Sequence, residues 1–323
     1  MFNDKVSRHN YIIPFFASFV VALMFIYTDW ERVFGSSFED RQVFLDVFQG
    51  KSEYDVEFKF ETFFFFLFNE QLWDRGVRFL NIDMGFSVPE IFTGISFLTV
   101  FCYAFFIVRR VGLGGLILLV NPLFIDMAYS QLRISAAMCF LLTAYNVRFV
   151  VLRVLLLSCA FFIHTASFLF VMIALSAAII VRISERKQLS PLVSYFMLVA
   201  VGLSVAAVVG PLRVAILEFL GDRRTDYEIA AATWSYASMW LLLLAISIFQ
   251  PPAFLRNYTN AIAIVFLAVF TFCTFFSVYG VRFLSAALPF IIVLLLRLGS
   301  LEKPAVFILF CGYAMVQWSL WFR

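Results

Sequence analysis

Asn260-Ala261-Ile262-Ala263-Ile264-Val265-Phe266-Leu267-Ala268-Val269-Phe270-Thr271-Phe272-Cys273 holds no charged side chain, and it lies inside an uncharged run from 258 to 278. An apolar run of about twenty residues matches the hydrocarbon thickness of a bilayer crossed as a helix. The whole chain follows this stretch. Of its 323 residues, 63% are hydrophobic and 14% charged, where a soluble domain is about half apolar and about a quarter charged. Mean hydropathy is +0.95. In lipid every backbone N–H and C=O must be bonded internally, so only helices and closed barrels span. A barrel would show short alternating segments. This chain repeats long apolar runs instead, which predicts an all-α integral membrane protein.

Eleven such runs predict spans at 11–28, 88–107, 113–129, 134–148, 149–163, 165–182, 191–211, 233–250, 258–278, 283–297 and 304–321. They form a single polytopic membrane domain, 1–323, with two larger polar loops, 29–87 and 212–232. Asn121-Pro122 falls inside the third run and predicts a kink there. The run Phe60-Glu61-Thr62-Phe63-Phe64-Phe65-Phe66-Leu67-Phe68 is too short to span. Between two ends on one side of the membrane, it reads as a short re-entrant or interfacial helix. The first run follows Lys5 and Arg8 and leads into no small-residue cleavage site, so it reads as an uncleaved span.

Orientation follows from basic residues in the short segments. With the N-terminus inside, twelve lie inside, from Lys5 and Arg8 to Arg297 and Lys303. Six lie outside: Arg133, Arg213, Arg223, Arg224, Arg282 and Arg323. That bias places the N-terminus in the cytoplasm. The acids sort further: only Asp4, Glu185 and Glu302 fall inside, and the other 18 of 21 outside. Acids contribute little to orientation, so their sidedness points to where the chemistry is. The net charge of +3 is too small to imply a nucleic-acid partner. The five cysteines all lie inside apolar runs, without metal-ligand spacing.

Polar side chains at a membrane boundary are costly and mark function by default. Arg133, His164 and Arg282 each stand at an outer boundary. An arginine there offers a planar donor fork to phosphate, against the bland alternative of a snorkelling anchor. His164 offers proton transfer or a donor, against a core histidine bonded to a carbonyl. Glu61, with Asp40, Asp55 and Glu57 in the same loop, supplies bases. A carboxylate beside Phe63 and Phe64 suits proton abstraction, against a solvated acid in a helix's first turn. Together these residues predict an enzyme acting on an anionic lipid head group at the outer leaflet.

At these residues the chain resembles the EpsG-type branch of the Wzy polymerases of O-antigen and exopolysaccharide. The resemblance is carried by Phe38-Glu39-Asp40-Arg41-Gln42-Val43-Phe44, by Phe60-Glu61-Thr62-Phe63, and by Gln131-Leu132-Arg133-Ile134-Ser135-Ala136-Ala137. Phe162-Ile163-His164-Thr165-Ala166-Ser167 and Arg282-Phe283 through Pro289 complete it, in order over roughly residues 1–300. Two features depart from the family pattern. Thr62 stands where Pro or Gly would follow the glutamate, and the first loop has no clear Asp-Tyr pair, so Glu57 and Glu61 both remain open as the family's glutamate.

The resemblance implies a GT-C-like architecture in a bacterial cytoplasmic (inner) membrane. It implies a periplasmic or extracellular active site that transfers a growing glycan from undecaprenyl diphosphate to a second lipid-linked repeat unit. In role terms Arg133, Arg282 and His164 would hold the departing diphosphate, and Glu61 or Asp40 would deprotonate the acceptor. Tyr279 and Glu57 would contact it. No cofactor is expected; a divalent ion on Asp55 and Glu57 is the competing device. A chain-length regulator and a flippase are the implied partners. A glycan-modifying acyltransferase and a lipid or polysaccharide transporter are the rival readings. The first would need polar residues deep in the membrane or on the inner side, the second usually repeated halves with broken helices.

Overall fold

The computed structural model describes residues 11–35, 38–50, 70–220 and 232–321. Among them every regular element is helical and no strand forms. Five helices are long and apolar enough, by length and composition, to cross a membrane: Val88–Val111, Ser167–Lys187, Pro191–Val209, Tyr258–Phe275 and Glu302–Leu320. Shorter apolar helices, Ile12–Tyr27, Val150–Ile163, Trp234–Ser247 and Val281–Leu296, accompany them. Large apolar side chains such as Val151, Phe149 and Met24 stand exposed along these helices, the surface expected against lipid. The chain packs as two compact units, one built on His9–Phe168 with Val316–Arg323 and the other on Leu169–Met315.

The first unit opens with α1 (Ile12–Tyr27), α2 (Trp30–Phe34) and α3 (Glu39–Phe48). After α4 (Gln71–Arg78) and a π-helical turn, Phe79–Asp83, comes the long α5 (Val88–Val111). Ser87 and Glu90 form a reciprocal capping box at the start of α5, with Pro89 in its first turn; together they fix where the helix begins. Antiparallel to α5 lies α1, with Phe15 on Phe101 and Phe19 on Phe97.

The third predicted span is broken rather than merely kinked. Its first half is a 3-10 helix, Leu113–Leu119, and its second half is α6 (Pro122–Tyr129), started by the Asn121 side chain and Pro122. Proline lacks an N–H and excludes the preceding turn, so one continuous α-helix cannot form. Seven 3-10 residues rise about 14 Å and eight α residues about 12 Å. They return the chain to the end where α5 began. From there α7 (Leu132–Asn146) runs down and α8 (Val150–Ile163) runs back.

This unit therefore has two unlike ends. At one end Arg109 reaches the Tyr11 hydroxyl at 3.2 Å, and Arg110 reaches Asn146 at 3.2 Å. At the other meet the end of α1, the starts of α5 and α7, and the end of α8. The acids follow suit: residues 91–125 and 132–168 contain no Asp or Glu.

The second unit contains α9 (Ser167–Lys187), α10 (Pro191–Val209), α11 (Arg213–Leu220), α12 (Trp234–Ser247), α13 (Pro252–Leu255), α14 (Tyr258–Phe275), α15 (Val281–Leu296) and α16 (Glu302–Trp321). Its centre is α14, against which α10, α12 and α15 pack. Gly202 allows the closest of these approaches, since a Cβ there would lie 2.4 Å from the Ala268 Cβ. Small residues at such crossings let membrane helices come together. Tyr313 links α16 to α12, accepting from the Trp240 indole at 3.1 Å and donating to the Tyr236 carbonyl at 3.0 Å.

Candidate functional site

The described parts of loop 29–87, at 29–35, 38–50 and 70–87, form short helices at the acidic end of the first unit. On α4, Trp73 and Val77 are buried, while Asp74 and Arg78 pair at 3.1 Å on the exposed side. Glu70 precedes α4 and continues its buried face, since positions 70, 73 and 77 follow the helical spacing i, i+3, i+7. Its backbone sits in the left-handed region, with φ 53° and ψ 39°. A side chain with a Cβ holds that conformation at a cost of about 1–2 kcal/mol, so the surroundings must enforce it.

Two side chains hold its carboxylate in place, a guanidinium and an imidazole. Glu70 Oε2 accepts from Arg133 Nη1, and Glu70 Oε1 lies 2.5 Å from His164 Nδ1. Arg133 is the second residue of α7, and His164 caps the end of α8. One carboxylate thus joins three segments that are far apart in sequence. A guanidinium in the first turn of a helix faces the positive end of the dipole, and Glu70 offsets that. Burial grades through the cluster: the Glu70 side chain is 7% exposed, His164 12% and Arg133 37%. Arg133 is the most exposed member.

The chemistry follows from the donor inventory. An ionised carboxylate only accepts, so its bond to His164 calls for a proton on Nδ1, and a neutral ring then carries its lone pair on Nε2. A carboxylate that fixes the tautomer and ring orientation of a histidine is the arrangement of a general base. Both Glu70 oxygens are already engaged, which makes Glu70 the orienting group rather than the base. The same engagement leaves Glu70 and His164 a poor pair of metal donors.

Around the cluster lies a pad of aromatic rings. The Arg133 guanidinium sits 4.9 Å from the Phe44 ring centroid; Phe44 meets Trp73 at 5.7 Å, and Trp73 stacks on Phe92 at 6.2 Å. Arg41 lies 5.9 Å from the Phe92 centroid. These rings keep the carboxylate and both cations partly out of water, where charge interactions strengthen.

Of the residues predicted from sequence, the structure brings Arg133 and His164 together. Arg282 belongs to the other unit, as the exposed second residue of α15, 5.6 Å from the Tyr279 ring. Asp40 is half-buried in the first turn of α3. Glu61, Glu57, Asp55 and the short helix expected at Phe60–Phe68 lie outside the described residues, as do Arg223, Arg224 and Asp226 of the second outer loop. The residue that sequence reasoning missed is Glu70. Its signal was present, because a carboxylate in register with Trp73 and Val77 stands on the apolar face of an amphipathic helix.

Compared with known families, curated proteins and solved structures, the chain matches none.

Proposed function

We propose that this chain is a membrane glycosyltransferase of the polymerase kind, which moves a growing glycan from a polyprenyl diphosphate carrier to a second lipid-linked repeat unit at the outer face of a bacterial cytoplasmic membrane. The observation that carries the reading is the shared carboxylate of Glu70, which holds a histidine as a base and an arginine as an anion binder at one end of an apolar helix bundle. Glycosyl transfer to a sugar hydroxyl needs both: a group to take the hydroxyl proton and a cation to stabilise the departing phosphate oxygen.

In this reading His164 Nε2 takes the proton from the acceptor hydroxyl as its oxygen attacks the anomeric carbon. The bond from that carbon to the phosphate oxygen breaks, and Arg133 stabilises the charge left on the diphosphate. Glu70 stabilises the imidazolium that forms. In this reading the acidic end of the bundle faces outward, because the opposite end carries Arg109, Arg110, Arg148 and Arg153 and, among the described residues, no acid.

The test is incubation of the purified protein with an undecaprenyl diphosphate-linked repeat unit, with products separated by size. A ladder of lengthening glycans, released carrier diphosphate and indifference to EDTA are expected. A single acylated product, or no product with an intact and folded protein, overturns the reading.

A further inference from the structure

Arg41 stands on the inner face of α3, which also carries Phe38, Phe44 and Phe48 at helical spacing. Phe38 stacks on Tyr129 at 5.8 Å, Phe44 meets Trp73, and Phe48 meets Phe92 at 6.3 Å. A guanidinium in the middle of an apolar helix face needs a reason. Its polar contact is weak, a 3.5 Å approach to the Thr93 hydroxyl. Among the described residues no carboxylate lies within ion-pairing distance of it. Glu31 acts on it only through longer-range charge, and burial lowers the guanidinium pKa from its ordinary value. A partly buried charge with no paired charge is costly.

Two neighbouring donors are equally unspent. Trp73 Nε1 and Tyr129 Oη are buried and make no hydrogen bond. The Trp30 indole beside Tyr129 donates instead to the Phe25 carbonyl at 2.8 Å. Buried polar groups nearly always find partners. Here Arg41 has only its long approach to Thr93, the Trp73 indole in the pad of Phe44, Trp73 and Phe92 has no acceptor, and Tyr129, against Phe38 of the same α3, has none for its hydroxyl. Arg41 and Phe44 are one turn apart, about 5 Å along the helix, and Arg133 rests on Phe44.

We propose that Arg41 is a ligand-binding residue and that, with Arg133, it forms a two-guanidinium site for a diphosphate. The ligand class is a prenyl-linked or free diphosphate, whose several acceptor oxygens suit the two forks and the idle Trp73 and Tyr129 donors. The inference rests on the glycosyl-transfer reading for its substrate class. It divides the work between the two cations: Arg133 is tied to the base through Glu70, and Arg41 answers to the ligand alone.

The full-length protein in detergent is titrated with farnesyl diphosphate, farnesyl monophosphate and inorganic pyrophosphate. Arg41→Gln is expected to weaken farnesyl diphosphate binding at least tenfold, Arg41→Lys to weaken it less, and neither to change monophosphate binding by more than about twofold. Tighter binding of the farnesyl compound than of pyrophosphate assigns the site to the lipid carrier; equal binding assigns it to free diphosphate. Without ligand, Arg41→Gln should melt at or above the wild-type temperature, because a charge with no partner has been removed. A merely structural Arg41 would lower that temperature and leave diphosphate affinity within twofold of wild type, and this result overturns the proposal. Arg41-dependent diphosphate binding in a protein that makes no ladder would keep this inference and sink the polymerase reading. A ladder with Arg41-independent binding would do the reverse.

Discussion

The two ends of the first unit both gather arginines, and they treat them differently. At the basic end Arg109, Arg110 and Arg153 meet rings, a hydroxyl, an amide and a backbone carbonyl. Arg109 lies 4.4 Å from the Tyr11 ring, Arg110 lies 3.6 Å from the Phe106 ring, and Arg153 donates to the Val147 carbonyl at 2.5 and 3.2 Å. Those contacts hold positive charge at a fixed depth, as topology requires. At the acidic end Arg133 is coupled through a buried carboxylate to a histidine, across three segments distant in sequence. Charge placed for orientation needs only a boundary. Charge placed for chemistry needs a constellation, and among the described residues of this unit the acidic end joins a guanidinium, a carboxylate and an imidazole.

The most severe way to break this comparison is to ask whether the two ends face opposite sides. Single cysteines at Asp83 and Arg148, in a background without the five native cysteines, should differ all-or-none toward an impermeant thiol reagent added from outside. Asp83→Cys should label and Arg148→Cys should not. Labelling at position 148 from outside would invert the topology and put the Glu70 cluster on the cytoplasmic side.

Next in size is the loss expected on removing the orienting carboxylate. Glu70→Gln keeps the shape and a hydrogen-bonding carbonyl but loses the charge that supports His164. Polymer growth should fall by about a hundredfold or more, the scale of general-base effects. Because breaking a buried pair also destabilises, by about 3–5 kcal/mol, the ladder assay is paired with a melting curve. A Glu70→Gln protein that folds and polymerises at the wild-type rate would remove Glu70 from the mechanism.

The helical frame was readable from sequence because it depends on long apolar runs. Ten of the eleven apolar runs form single helices close to the predicted bounds, five of them long and apolar enough to cross a membrane, and the run at 113–129 broke where Asn121-Pro122 predicted a kink. The site was half readable. Arg133 and His164 stand alone among apolar neighbours at span ends, so each announced itself. Glu70 and Arg41 lie in a loop crowded with other charges, where composition cannot separate a solvated acid from a buried one. Their common mark is register: each falls on the buried face of a short amphipathic helix. Local helical phase, read through the loop rather than across the spans, distinguishes them from Glu39, Asp46 and Asp74. No pattern within a single segment could reveal that Glu70 bridges residues 63 and 94 positions away.

A smaller effect separates charge from geometry at Arg133. Lysine can still reach Glu70 and keeps the positive charge, but it replaces a planar fork by a point donor. Arg133→Lys should retain folding and lose about tenfold or more in ladder formation. Full activity in the lysine variant would mean that Arg133 serves only as the counter-charge of Glu70.

The smallest effect belongs to the basic end. Arg110 donates to the Phe106 carbonyl and to Asn146, each at 3.2 Å, and lies over the Phe106 and Tyr145 rings at 3.6 and 5.0 Å. Arg110→Gln removes the cation–π contact and some of these bonds, for an expected loss of about 1–2 kcal/mol in stability. Among the described residues no acid and no histidine stand at that end, so the ladder rate per folded protein should stay within about twofold. Melting and activity measured on the same sample separate the two effects. If Arg110→Gln depressed the ladder as far as Arg133→Lys while melting like wild type, the basic end would hold a functional cation too. Sidedness alone would then no longer say where in this molecule the reaction takes place.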